Sequence, residues 1–267
     1  MKKIKSVTIY FRQNQKQAVL WSQKIEQYIK QQYKTIKFDN KHPDAVLVFG
    51  WECTILEAIR KYKDKKSIIF GFNLGQVGFL ASVRDKKFFY YGLNNFLNQK
   101  YHICKRYFLK IELIRNKKII NSAFALNDTV IQSPTNMVKL NVSSNKHTFQ
   151  LIYGTGVLIS TATGSTAYNL SAHGPIVSPD IKCLIITELF DHNLPTPSII
   201  LNHHQEISIK VIDFRLQDVV LISDGNNFWN LQKNDIIKIK LSTKSIDFAE
   251  IDDNYFLKSL HEKFLFH

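Results

Sequence analysis

Glycine is scarce in this chain: 10 of 267 residues, about half the roughly 7% usual in globular proteins. The ten, Gly50, Gly71, Gly75, Gly78, Gly92, Gly154, Gly156, Gly164, Gly174 and Gly225, cluster in a few segments, so their positions are informative. Cysteine is also rare. Cys53, Cys104 and Cys183 are odd in number and far apart, with no Cys-x-x-Cys and no histidine at zinc-ligand spacing, which excludes a disulfide framework and a structural zinc. No window approaches the ~20 uninterrupted apolar residues of a membrane helix, and Met1-Lys2-Lys3-Ile4-Lys5 leads into no signal-peptide pattern. The expectation is a cytoplasmic protein with no membrane partner. Arginine is the last scarcity. Only six of the 36 basic residues are Arg, the usual reader of base edges. The formal charge of +14 rests on 30 dispersed lysines, which reads as a solvated basic surface without a nucleic-acid partner. Such a field can still gather an anionic small molecule.

What is abundant is core material: 45% hydrophobic and 12% aromatic residues, enough for one large domain or two smaller ones. The first hundred residues alternate two periodicities. Residues 6–11, 45–49 and 67–72 read as strands. Residues 17–33, with Trp21, Ile25, Tyr28 and Ile29 on one face, and residues 54–62 and 86–97 read as helices. This β-α-β-α-β-α order predicts an open, largely parallel sheet. After residue 101 the character changes to runs rich in Ile, Val, Leu and Thr broken by polar turns. Candidate strands fall at 103–114, 118–125, 129–132, 138–142, 149–153, 157–160, 184–188, 207–212, 219–223 and 236–241, which predicts an all-β second domain. Residues 252–266 read as an amphipathic helix.

Ligands of α/β sheets bind beyond the carboxyl ends of the strands, where loops lead into helices. Two glycine-bearing segments lie at such places, Gly50-Trp51-Glu52-Cys53-Thr54 and Gly71-Phe72-Asn73-Leu74-Gly75-Gln76-Val77-Gly78-Phe79-Leu80. Neither fits a Walker loop or G-x-G-x-x-G, and on spacing alone tight strand-to-helix turns explain them as well. A third segment, Gly154 to Tyr168, carries seven hydroxyl side chains around Gly164. One hydroxyl suffices to cap a helix, whereas a hydroxyl-rich loop opening a helix suits phosphate or ribose recognition. G-x-S-x-G is absent, so a serine hydrolase is unsupported.

Taken together and in order, these segments resemble the motifs of the NAD kinase family. Residues 71–80 resemble its G-[IVF]-N-x-G-x-x-G-F-L signature, and Ala125-Leu126-Asn127-Asp128 its A-L-N-E. The stretch from Ile159 to Tyr168, with Leu170-Ser171-Ala172 and Gly174-Pro175-Ile176-Val177, is similar to its S-T-P-T-G-S-T-A-Y…S-A-G-G-P-I-V block. His192, Leu194 and Pro197 are similar to its P-H-x-L-x-x-R-P, Asp224-Gly225 to its D-G-Q, and Phe256, Leu260 and Lys263 to its closing helix.

The resemblance implies an N-terminal Rossmann-like domain (1–101), a C-terminal β-sandwich that binds NAD (102–251), and a C-terminal helix (252–267) returning to the first domain. It implies an NAD site in the crevice between domains and a homodimer or homotetramer. The implied reaction moves the terminal phosphoryl of ATP, with a divalent cation such as Mg²⁺, to the 2′-hydroxyl of the adenosine ribose of NAD, giving NADP. By motif, Asn127 and Asp128 are implied to bind ribose or phosphate, and Thr163, Thr166, Ala167, Tyr168 and Ser171 to surround adenine and ribose. Gly50, Thr54 and Asn73 are implied to belong to the nucleotide site as well, and no residue is assigned to a metal. Phosphoryl transfer asks mostly for positioning and charge neutralisation.

The family's G-G-D-G-T stands here as Gly50-Trp51-Glu52-Cys53-Thr54. Glu52 keeps the carboxylate that would act as catalytic base, one methylene further out, or is the relic of one. Trp51 either packs into the loop or stacks on a base, and it and Cys53 are strained if their positions need a positive φ. Thr155 replaces an Asp, Ala162 a Pro, and Asp128 shortens a Glu. Two functions follow from the resemblance, a divergent NAD kinase with Glu52 as its catalytic group or an inactive NAD(P)-binding protein of the same fold, with nucleic-acid binding through the basic surface as a weaker third.

Overall fold

The computed structural model describes residues 3–75, 78–192, 196–215, 218–252 and 254–264. Gln76, Val77 and Leu194 of the motifs, and the end of the C-terminal segment at 265–267, lie outside them. The chain folds as two compact units, 1–106 with 245–267, and 107–244.

The first unit opens with β1 (Ser6–Phe11), α1 (Lys16–Gln32), β2 (Lys37–Phe38), β3 (Ala45–Gly50), α2 (Glu52–Tyr62), β4 (Ile68–Asn73) and α3 (Phe89–Leu97). The pairings described among these strands are parallel: β2 with β1, β1 with β3 from Val7↔Ala45 to Phe11↔Phe49, and β3 with β4 from Ala45↔Ile68 to Gly50↔Asn73. Every residue of β3 and β4 is buried, which is why these strands read as continuous apolar runs rather than alternating ones. Helix α1 buries Ala18, Ser22, Ile25 and Ile29, an i, i+4, i+7, i+11 stripe. The core between sheet and helices is aromatic, with Phe49 stacked on Phe72 and Phe70 on Phe96, each at 4.4 Å between ring centres.

The second unit is built from β5 (His102–Arg115), β6 (Lys118–Ala125), β7 (Asp128–Gln132), β8 (Val138–Ser144), β9 (His147–Thr161), the single turn α4 (Tyr168–Ser171), β10 (Cys183–Asp191), β11 (Ile199–Asn202), β12 (Glu206–Phe214), β13 (Val220–Ser223), β14 (Asn227–Asn230) and β15 (Ile236–Glu250), of which the start of β5 (102–106) and the end of β15 (245–250) belong to the first unit. Helix α5 (Tyr255–Phe264) belongs to the first unit. The described pairings among these strands of the second unit are antiparallel. An apolar core including Leu109, Ile131, Leu140, Ile159, Ile209 and Ile237 fills its interior. The fold is therefore α/β followed by all-β.

Two expectations change. The strands expected at 149–153 and 157–160 are one strand, β9, which pairs with β8 up to Gly154 and with β7 from Gly156. Gly154 and Gly156 are glycine because neighbours press on them, not because the chain breaks there. A Cβ on Gly156 would lie 2.1 Å from the Ile131 carbonyl oxygen, and one on Gly154 2.4 Å from that of Phe190. The strand expected at 236–241 continues to Glu250, and its end pairs in parallel with β4 through Asp247↔Ile68 and Phe248↔Ile69.

Candidate functional site

In the first unit the site residues gather where β3 and β4 end side by side. The chain leaves β3 at Gly50, which is held to glycine by contact, since a Cβ there would lie 2.5 Å from Thr54 Oγ1. Trp51 follows with φ −88° and ψ 173°, and Cys53 lies in α2, so neither residue adopts a positive φ. The positive φ that would strain a non-glycine residue at these two positions is not required. Thr54 is buried in the first turn of α2, and its hydroxyl has no hydrogen-bond partner among the described residues. Asn73, also buried, accepts the Gly75 N–H at 3.0 Å.

The side chains of Trp51 and Glu52 occupy the space that Gly75 and Gly78 leave. A Cβ on Gly75 would lie 2.8 Å from the Trp51 ring, and one on Gly78 2.8 Å from Glu52 Oε1. Trp51 thus packs against the Gly75 backbone while remaining 54% exposed. Glu52 Oε1 accepts the N–H groups of both Phe79 and Leu80, the latter at 2.9 Å. Its Oε2 makes no hydrogen bond among the described residues.

In the second unit the centre is the turn between β6 and β7. The Asp224 carboxylate accepts three successive backbone N–H groups, Leu126 at 2.7 Å, Asn127 at 2.8 Å and Asp128 at 3.3 Å. Asp224 and Gly225 take φ of 46° and 69°, the left-handed pair that an Asp-Gly turn supplies. On the opposite side Thr161 Oγ1 donates to the Leu126 carbonyl at 2.6 Å, and Thr161 N–H to that of Asn127 at 2.9 Å. Gly164 lets the next loop close over Asn127, whose carbonyl oxygen would be 2.1 Å from a Cβ there. The main chain of 126–128 is fixed on all sides, and the Asn127 side chain remains without a hydrogen bond among the described residues. Asp128 is buried. Its burial, and next the charge of Asp224, push its carboxyl up to about 7.

The hydroxyl-rich segment divides by task. Ser160 and Thr161 bond to the 126–127 carbonyls, Ser165 both donates to the Val177 carbonyl and accepts its N–H, and Thr166 donates to the Thr163 carbonyl. These four hydroxyls build the loop. The expected helix opening is corrected as well, because α4 is one turn of four residues and supplies no helix dipole of useful length. Asn169, wholly buried, ties the loop to Pro175 and Thr187. Tyr168 and Ser171 are exposed and, with His173, Glu188 and Asp191, line an open cleft of about 580 Å³. Thr163 is buried and Ala167 half-buried beside them. His192 is exposed, its N–H on the Tyr153 carbonyl at 2.9 Å.

The first unit thus brings together Gly50, Glu52, Thr54 and Asn73, and the second Asn127, Asp128, Thr163, Thr166, Ala167, Tyr168 and Ser171. Sequence reasoning missed the work of Asp224, for which the Asp-Gly dipeptide was the available signal. It also missed the Phe79 and Leu80 amides, which no side-chain motif can announce.

Residues 126–251 match the family profile described as the ATP-NAD kinase C-terminal domain. The chain is 30% identical over 264 residues to an NAD kinase of Fusobacterium nucleatum subsp. nucleatum, with 96% of each chain covered. It is 33% identical over 222 residues to an NAD kinase of a Thermoanaerobacter species, covering 82% of this chain and 78% of that one. Among solved structures it is similar to yeast NADH kinase complexed with NADH (TM-score 0.85, 21% identity, 100% of this chain and 89% of that one). It is also similar to an NAD kinase from Archaeoglobus fulgidus in complex with ATP (TM-score 0.77, 19% identity, 96% and 98% covered).

Proposed function

The chain belongs to the NAD kinase family, and we propose on that footing that it phosphorylates NAD at the 2′-hydroxyl of the adenosine ribose, with ATP as donor. The 2′-oxygen attacks the terminal phosphorus, the bond to the bridging oxygen breaks, and ADP leaves with that oxygen while NADP is formed. The observation that carries this reading is the turn at 126–128. Three amides bound by one carboxylate hold Asn127 and Asp128 in place before any ligand arrives, as positioning catalysis requires. In this proposal the Asn127 amide and the Asp128 carboxyl bond ribose hydroxyls, and Thr163, Thr166, Ala167, Tyr168 and Ser171 surround the adenosine. Gly50, Thr54 and Asn73 serve the phosphates, Thr54 through its unpartnered hydroxyl. Glu52 orients the attacking hydroxyl through Oε2 and accepts its proton.

A divalent cation would enter on the phosphates of ATP and neutralise their charge. Among the described residues no group of three or more His, Cys, Asp or Glu is placed to hold one, so no side chain is assigned to it. A homodimer or homotetramer in the cytoplasm completes the proposal.

Incubating the purified protein with ATP, Mg²⁺ and NAD, and following NADP with an NADP-specific dehydrogenase, tests it. We expect turnover, and a fall of roughly 100-fold or more in kcat for Glu52→Gln. Wild-type turnover no higher than that of Glu52→Gln, with NAD still bound by calorimetry, would replace the enzyme with a dinucleotide-binding protein.

A further inference from the structure

Glu52 is carried by α2 but held from elsewhere. Its Oε1 sits on the Phe79 and Leu80 N–H groups, so the carboxylate goes wherever residues 79 and 80 are held. Helix α5 grips that segment and its continuation at several points. The Phe256 ring lies 6.0 Å from the Phe79 ring, and the Lys263 ammonium 5.2 Å from the same ring's centre. Arg84 lies 4.7 Å over the Tyr255 ring and pairs with Glu262 at 2.6 Å. The contacts come from the start and the end of α5; Tyr255, at its start, and Ser259, between the two ends, are buried. Tyr255 carries no well-formed hydrogen bond on its buried hydroxyl among the described residues. Ser259 spends its own hydroxyl on the Tyr255 carbonyl at 2.9 Å. A helix of ten residues is marginal by itself in water, so these contacts hold α5 and the 79–84 segment in place together.

We propose that α5 is the positioning element for Glu52, with Phe256 and Lys263 as positioning residues acting through Phe79. The inference rests on the reading of Glu52 as the group that orients the ribose hydroxyl. A shift of about 1 Å in the Phe79 and Leu80 backbone carries Oε1 with it, and displacements of that size cost up to about 100-fold in rate. A helix that merely covered apolar surface would change the melting temperature and leave kcat alone.

The test compares Phe256→Ala, Phe256→Leu, Phe256→Tyr and Lys263→Met in the full chain, below their melting temperatures. Turnover and the hydrogen exchange of the Phe79 and Leu80 amides are both followed. We expect Phe256→Ala to lower kcat by about 10-fold or more, to leave KM for NAD within about twofold, and to speed exchange at both amides. Phe256→Tyr restores kcat and protection. In a Glu52→Gln background the same truncation costs little further, because the group it displaces is gone. Should Phe256→Ala not fold, Phe256→Leu and Lys263→Met carry the same readouts. Unchanged kcat with unchanged amide protection overturns the inference, as does an undiminished cost in the Glu52→Gln background. If the wild type shows no turnover, the proposed function fails, and the amide exchange alone decides whether α5 positions Glu52.

Discussion

Asp128 shows how one carboxyl can be placed by its surroundings rather than by its own bonds. It is buried beside Asp224, while Asp224 disperses its charge over three backbone amides. Asp128 therefore takes up protons more readily when folded than when unfolded, with its carboxyl near 7 instead of the ordinary 3.8. Between those values the native state binds the extra proton. Stability from this group is thus complete below about 4 and is lost as pH rises through about 7. The loss runs at up to about 1.4 kcal/mol per pH unit. Urea unfolding of the wild type and Asp128→Asn across this range isolates it: the difference between them should move in favour of Asp128→Asn as pH rises and flatten above about 7. A pH-independent difference would show that Asp128 stays ionised in the folded protein.

At the scale of an element, β9 depends on its glycines because partner strands change along one edge. It pairs with β8 up to Gly154 and with β7 from Gly156, while β10 runs along the other edge. Gly156→Ala would drive a methyl to 2.1 Å from the Ile131 carbonyl oxygen, and a backbone atom of a paired strand yields less easily than a side-chain tip. Overpacking of this kind costs about 1 to 3 kcal/mol, which denaturant midpoints will report. Gly225→Ala meets nothing within 4 Å and suffers only its positive φ of 69°, so its loss should be nearer 1 kcal/mol. Equal losses at the two sites would refute the close-approach account. The same pair shows what the sequence could not say. A glycine's reason for being there, whether a turn or a pressing neighbour, depends on a strand distant in the chain. Hence Gly154-Thr155-Gly156 read as a break in a strand that runs straight through.

For the whole molecule, the division into an α/β part and an all-β part was readable because buried parallel strands and amphipathic helices leave different periodicities. The loops of the candidate site stood out because the few glycines and the Asn127-Asp128 pair are conspicuous against a lysine-rich background. What stayed hidden are contacts made by main chain: the amides of 126–128 on Asp224, and those of Phe79 and Leu80 on Glu52. The net charge of +14 is readable without any fold, and it bears on how substrate arrives. A dispersed positive field raises the local concentration of an anion and fades as the Debye length falls from about 30 Å at 0.01 M salt to about 10 Å at 0.1 M. On the proposed reaction, kcat/KM for ATP should fall several-fold over that range. For the less charged NAD it should fall less, and kcat should stay nearly level. Steady-state kinetics in a salt series at fixed free Mg²⁺ measures this. Equal sensitivity for the two substrates would mean that the lysines serve solvation alone and do no gathering of nucleotide.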